Sequence, residues 1–184
     1  MAEDIKKNKQ ERNDKPQKNR KERPVKIDDG LDKRLVSVRR VSKTVKGGRT
    51  MHFSALVVIG DGKGNIGMGI GKAAEVPNAI DKATVVAKKN MKKVSLNENT
   101  IPHETIGKFG ATSVLMMPAE VGHGVIAGGA ARAVLEVAGV KNIVTKIHGS
   151  TNRINVVKAT MNGLLGLKTR EEIASRRGKK PEEI

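Results

Sequence analysis

The 184-residue chain contains no cysteine, no tryptophan and no tyrosine, and Phe53 and Phe109 are its only aromatic residues. Without cysteine there can be no disulfide framework, zinc ribbon or thiol nucleophile. The four histidines, His52, His103, His123 and His148, are scattered with no ligand spacing such as H-E-x-x-H, so no metal is expected. No apolar run is long enough to cross a bilayer, and the N-terminus is charged with no apolar signal core. A cytoplasmic protein without membrane association is the expectation. Single-strand readers stack bases on aromatic platforms, each stack worth about 1–3 kcal/mol. Two phenylalanines cannot build such a surface.

Acidic residues are also few. Asp and Glu number 19 against 36 Lys and Arg, giving a formal net charge of +17. An excess of this size predicts an anionic partner, nucleic acid first and an acidic membrane second. With base stacking excluded, recognition rests on charge, backbone amides and shape, the way folded or double-stranded RNA is read.

The length allows one ordinary domain or two small ones. Residues 1–27 are basic and nearly free of apolar side chains. They read as a tail disordered on its own, either simply solvated or an arm that orders on RNA. From Leu31 the pattern becomes that of strands: Leu35–Val41, then Met51–Ile59, then Asn65–Gly71, where Ile66, Met68 and Ile70 alternate with glycine. Gly47-Gly48 and Asp61-Gly62 supply the turns. A helix follows, with Pro77 in its first turn and Val76, Ile80, Ala83, Ala87 and Met91 at helical spacing. Three antiparallel strands and a helix make a two-layer unit over 28–96.

A linker near Asn97 leads into a second unit, 97–168, with strands over Thr100–Lys108, Thr112–Met117 and Asn142–His148. Its helices are expected over Ala130–Ala138, stopped by Gly139, and over Arg153–Leu165. Residues 169–184 read as a charged, mobile or partner-dependent tail. The fold class is α+β, with two small two-layer domains.

Two glycine-rich stretches raise the possibility of an enzyme. In GDGKGNIGMGIGK, Gly62, Gly64 and Gly67 have dinucleotide-fingerprint spacing. That fingerprint needs a helix directly after the loop, whereas Met68–Gly71 is glycine-broken and Pro77 sets a later start. As a Walker loop it fails as well, because Ile66 replaces the first glycine and Ala73 the metal-binding hydroxyl. Pro118–Ala127 resembles the P-x-x-x-G-x-G-x-x-A outline of small-molecule kinases of the galactokinase and homoserine kinase type. Val125 and Ile126 stand where those enzymes carry serines, leaving phosphoryl transfer little to work with. A nucleotide-dependent kinase is thus the alternative reading, and the first reading has no catalytic residue, cofactor or small-molecule substrate.

A binding surface accounts for the same features. Glycine on one face of residues 66–71 lets another backbone or a ribose-phosphate approach closely, with Lys63 and Lys72 bracketing it. Lys43, Lys46 and Arg49 flank Gly47-Gly48 as a mobile cationic loop. Gly128-Gly129 opens a helix whose free amides favour phosphate, with Arg132 one turn in.

Lys43–Arg49, Gly60–Lys72, Glu75–Ile80, Ile126–Ala130, Arg132–Val140 and Gly149–Asn152 together resemble the bacterial small-subunit ribosomal protein S-five family, over about residues 28–168. The resemblance implies an N-terminal domain like a double-stranded RNA-binding domain without its first helix, and a C-terminal domain with a βαβ crossover. It implies a ribosome-bound monomer contacting 16S rRNA near the central pseudoknot and the head–body junction, with S-four, S-eight and mRNA near its entry as neighbours. The rRNA-binding residues it suggests are Arg39, Arg40, Lys43, Thr44, Lys46, Gly47, Gly48, Arg49, Lys63, Asn65, Lys72, His123, Gly128, Gly129, Arg132, Asn152 and Arg153. Gly107, Lys108, Phe109, Gly110 and Ser113 would face S-four. Four residues depart from the family pattern: Arg153 for proline, Met68 and Ile70 for aromatics, and Ser113 for arginine.

Overall fold

The computed structural model describes residues 30–97, 99–180 and 183. The expected N-terminal tail, 1–27, lies outside the described residues. The first sheet contains β1 (Asp32–Val45), β2 (Gly48–Gly60), β3 (Asn65–Ala73) and a two-residue β4 (Lys92–Lys93), in that spatial order and antiparallel throughout. Helix α1 (Val76–Lys89) lies between β3 and β4.

β2 explains why Ala55 to Ile59 forms an unbroken apolar run. Ala55, Val57 and Ile59 pack with Ala79, Ala83 and Ala87 of α1, while Leu56 and Val58 join a core built mostly by the second half of the chain. A strand covered on both faces has no polar side to show. The two units are therefore fused: Leu56, Val58 and Ile66 sit in one cluster with Val134, Val137 and Leu164.

The second sheet runs β5 (Thr105–Phe109), β6 (Thr112–Pro118), β8 (Ile143–Gly149) and β7 (Val125–Ile126) in space. β7 pairs parallel with β8 across α2 (Gly129–Ala138), which is the expected βαβ crossover. α3 (Arg153–Leu165) packs on β5 and β6 beside α2. Gly139 ends α2 in the left-handed region at φ 92°, a stop that glycine makes without strain.

Three expectations need correction. The first strand of the second unit begins at Thr105, not Thr100; Thr100 makes only an isolated bridge to Asn97. A fourth short strand, β4, joins the first sheet. Arg170–Arg177 is a helix, α4, capped by Thr169 Oγ1 accepting from the Glu172 amide at 3.2 Å, with Ala174 buried.

Candidate nucleic-acid interface

The interface is built on the β1–β2 hairpin. Its ladder runs without a gap from Ser37↔Leu56 to Val45↔Gly48, leaving Lys46 and Gly47 as a two-residue turn. Gly47 has φ 94°, a conformation that such turns require and a side chain resists. The expected loop over Lys43–Arg49 is thus a hydrogen-bonded ribbon. From Val38 to Met51 every residue is exposed except Val41, which is half-buried, so both faces of the ribbon stand clear of the body.

Strand alternation sorts the cations between those faces. Arg39 pairs with Ser54 and Ser54 with Lys72, so Arg39 and Lys72 share a row; Lys43 lies further out on the same face. Arg40, Thr44 and Arg49 occupy the other face, and Lys46 sits at the tip. No Asp or Glu occurs between residues 33 and 60, so nothing on the ribbon neutralises this charge. Such a surface attracts polyanions over a distance set by the ionic strength.

The turn Asp61–Gly64 lies elsewhere. The 13-residue β2 separates it from the hairpin tip by about 40 Å at strand rise. Asp61 Oδ1 accepts from the amides of Lys63 (2.8 Å) and Asn65 (3.0 Å), and its Oδ2 accepts from Asn65 Nδ2 at 2.6 Å. Partial desolvation works against the charged carboxyl, but the bonds from Asn65 and the Lys63 amide outweigh it and hold its pKa below the ordinary value. The turn then docks on the end of α2: the Gly62 and Gly64 amides donate to the carbonyls of Val137 and Ala138 at 3.1 and 3.0 Å. Those carbonyls belong to the unpaired last turn of a helix.

The N-terminus of α2 opens onto a groove of about 410 Å³ between the two units, lined by Gly129, Ala130, Thr151, Leu35, Val36 and Arg153. Arg153 Nη1 donates across this groove to the Val36 carbonyl at 3.4 Å. Arg132 is turned away from it: Nη2 donates to the Val125 carbonyl at 2.8 Å and Nε lies 3.8 Å from Glu136, which also faces Arg34 at 3.6 Å. At the other end of the second sheet, Phe109 and Thr112 close the β5–β6 hairpin, and Lys158 Nζ sits 4.5 Å from the Phe109 ring centre.

The chain matches ribosomal protein S5, N-terminal domain, over residues 31–95 and ribosomal protein S5, C-terminal domain, over 107–177. It is 58% identical over 157 residues to small ribosomal subunit protein uS5 of Cupriavidus pinatubonensis, spanning 85% of this chain and 91% of that one. It is 56% identical over 173 residues to the same protein of Psychrobacter cryohalolentis, spanning 94% and 98%. The chain belongs to the ribosomal protein S5 family.

Membership in the S5 family makes this an RNA-associated protein of the ribosome, located with it in the cytoplasm, and not an enzyme; the kinase reading falls. Apart from Asn65 and Arg132, the expected rRNA-binding residues divide into three groups. Arg39, Arg40, Lys43, Thr44, Lys46, Gly47, Gly48, Arg49 and Lys72 come together on the ribbon and its root. Gly128, Gly129, Asn152 and Arg153 gather near the groove between the units, where Asn152 caps α3 by accepting from the Ile154 amide at 3.2 Å. Lys63 and His123 are exposed on separate turns.

Some of these residues are committed to the fold. The Asn65 side-chain amide is bonded to Asp61, and the Arg132 guanidinium is bonded within the second unit. Gly107 is buried beneath α3, where a Cβ would meet the Ala159 backbone and lie 2.8 Å from the Gly163 amide. It therefore has no surface to offer a neighbour, whereas Lys108, Phe109 and Gly110 are exposed and Ser113 is half-buried. The glycines of β3 face α1, so the backbone they admit is the protein's own and not a ribose-phosphate.

Sequence reasoning passed over one organising residue, Asn142, and read another, Asp61, only as part of a turn. Buried Asn142 accepts through Oδ1 from the Gly122 and Gly124 amides, both at 3.2 Å, and fixes the loop that carries His123. Nothing in the local sequence signals it. Asp61 does carry a signal, since Asp at a glycine turn bonds the backbone just ahead of it.

Proposed function

We propose that this protein binds 16S rRNA near the central pseudoknot and the head–body junction, with the β1–β2 hairpin as its principal reader. The observation that carries this reading is a ribbon with exposed cations on both faces and the tip, and no acidic residue from 33 to 60. A two-stranded ribbon is narrow enough to enter a groove or crevice in folded RNA, and it reads charge and shape without aromatic stacking. Support for translational accuracy and for the mRNA entry region follows from that location. S-four would meet Lys108, Phe109, Gly110 and Ser113, and S-eight the rest of the second unit, whose outer sheet face leaves Ile106, Met117 and Ile126 exposed.

Two measurements test the reading. Binding of the purified protein to folded 16S rRNA should weaken steeply with salt, by about 0.9 in log–log slope for each phosphate neutralised on duplex-like RNA. A flat salt response would rule out the electrostatic account. Gradient sedimentation of a cell lysate should place the protein with the small subunit, and its absence there would rule out the structural role.

A further inference from the structure

The outer edge of β3 is unpaired over most of its length. β4 covers only Asn65 and Ile66, and no strand among the described residues continues past them. Two backbone bonds fix which groups point outward. The Asp61 amide donates to the Asn65 carbonyl at 3.2 Å, and the Val94 amide to the Gly64 carbonyl at 2.9 Å. Alternate residues of an antiparallel strand turn their N–H and C=O to the same side. Gly67, Gly69 and Gly71 therefore bond β2, and Met68, Ile70 and Lys72 aim theirs into open space.

Shallow depressions flank this edge on either side. One, of about 530 Å³, is lined by Ile70, Val85 and Val86, with Lys72 and Lys82 on its rim. The other, of about 320 Å³, is lined by Met68, Phe109 and Leu165, with Lys92 and Lys158 beside them. Among the described residues, Asp81 is the only acidic side chain in either. Proteins rarely leave such an edge uncovered, because its free N–H and C=O groups invite another strand.

We propose that the β3 edge takes up an extended, acidic segment of a neighbouring polypeptide as an added strand. Outward carbonyls alternate with outward amides, which a peptide backbone satisfies and phosphate oxygens, being acceptors only, do not. That favours peptide over RNA at this edge. The four lysines set the sign of the partner and disfavour a second copy of this chain, whose own edge would bring the same charge. Alternate side chains of the added strand would fall into the two depressions. The proposal stands apart from the role of the hairpin, with which it shares only Lys72 at the ribbon's root, and it shares Phe109 with the surface proposed for S-four.

A blocked seven-residue peptide of alternating glutamate and valine is the probe, added to the full-length isotope-labelled protein. The expected result is amide shifts and new exchange protection at Met68 and Lys72, with Gly69 and Gly71 already protected. Ile70→Pro removes an outward amide and no bond to β2, a substitution edge strands tolerate, and should weaken the peptide at least tenfold. Lys72→Glu with Lys82→Glu, both exposed positions, should do the same and guards against misfolding of the proline variant. Peptide shifts mapping elsewhere, or unchanged affinity in the lysine variant, would overturn the proposal. In assembled small subunits, Val85→Cys would be the only thiol of the chain and can carry a photo-crosslinker. Crosslinks to an acidic segment of a neighbouring protein support strand addition, and crosslinks confined to RNA overturn it.

Discussion

Gly69 lies directly against Ala83 of α1: a methyl on Gly69 would collide with the Ala83 carbonyl and stand 2.6 Å from the Ala87 amide. The same relation holds between Gly71 and Ala79 and between Gly67 and Ala87. Two residues of strand advance about 6.7 Å and four residues of helix about 6 Å. Glycine at every second position therefore keeps step with alanine at every fourth. The glycine of GDGKGNIGMGIGK removes side chains so that helix and sheet can meet backbone to backbone.

Gly69→Ala should cost about 1–3 kcal/mol, the range for overpacking, and fall at its upper end because the obstacle is backbone that cannot rotate away. Gly129→Ala is the control, since a Cβ there meets nothing within 4 Å and its φ is ordinary. That change should be neutral or stabilising by up to about 1 kcal/mol. Urea denaturation of the two variants separates the outcomes, and equal stability would mean that α1 is not held at this distance.

How much of this was readable depends on the element. The bounds of α3, the stop at Gly139 and the alternation of Ile66, Met68 and Ile70 follow from local periodicity and turn chemistry, and the structure agrees. The partner of the β3 glycines was not readable, because small residues announce a close approach without saying what approaches. Periodicity does not carry the strands into the hairpin, because Lys43–Arg49 is exposed on both faces and leaves no pattern of burial to detect. α4 was hidden by its charge, although Thr169 with Glu172 three residues on is a capping signal that sequence inspection could have used. On the interface, the ribbon cations were legible from clustering. The burial of Gly107 and the internal bonding of Asn65 and Arg132 depend on tertiary packing and were not.

Asp61 gives the fold a dependence on acid. Its pKa is lowered on folding from an ordinary 3.8, so its contribution is fully present above that value and is lost as pH falls through the lower folded one. Asp61→Asn should lower the melting temperature at neutral pH, and the gap from the natural protein should close progressively below pH 3.8. A gap that stayed constant down the acid limb would show that the carboxylate charge plays no part in holding the turn.

Arg153→Pro should leave α3 intact. Position 153 is the first residue of the helix, where proline lacks an amide that is unpaired anyway. Asn152 already has φ −58° and ψ 118°, in the region a residue before proline adopts. The lost Arg153 bond to the Val36 carbonyl is worth about 0.5–1 kcal/mol, and the stiffer unfolded chain returns about 0.4–1 kcal/mol. The net change should stay within about 1 kcal/mol, with helical circular dichroism unaltered. A larger loss would mean that Arg153 ties the two units together more strongly than one long hydrogen bond can.

Lys46→Ala with Arg49→Ala separates function from fold at the hairpin. Both side chains are exposed and have no hydrogen bond or ion pair among the described residues, so stability should change by less than about 0.5 kcal/mol. Affinity for folded 16S rRNA should fall, and the log–log salt slope should shrink by about 0.9 for each phosphate contact removed. Arg39→Ala and Arg40→Ala lie on opposite faces of the ribbon. If RNA encloses it, each should weaken binding by a comparable factor; if RNA covers one face only, one of the two should have no effect. Thermal melts beside salt-dependent binding isotherms decide the matter. A loss of stability equal to the loss of affinity would mean that these cations support the hairpin and not its contact with RNA.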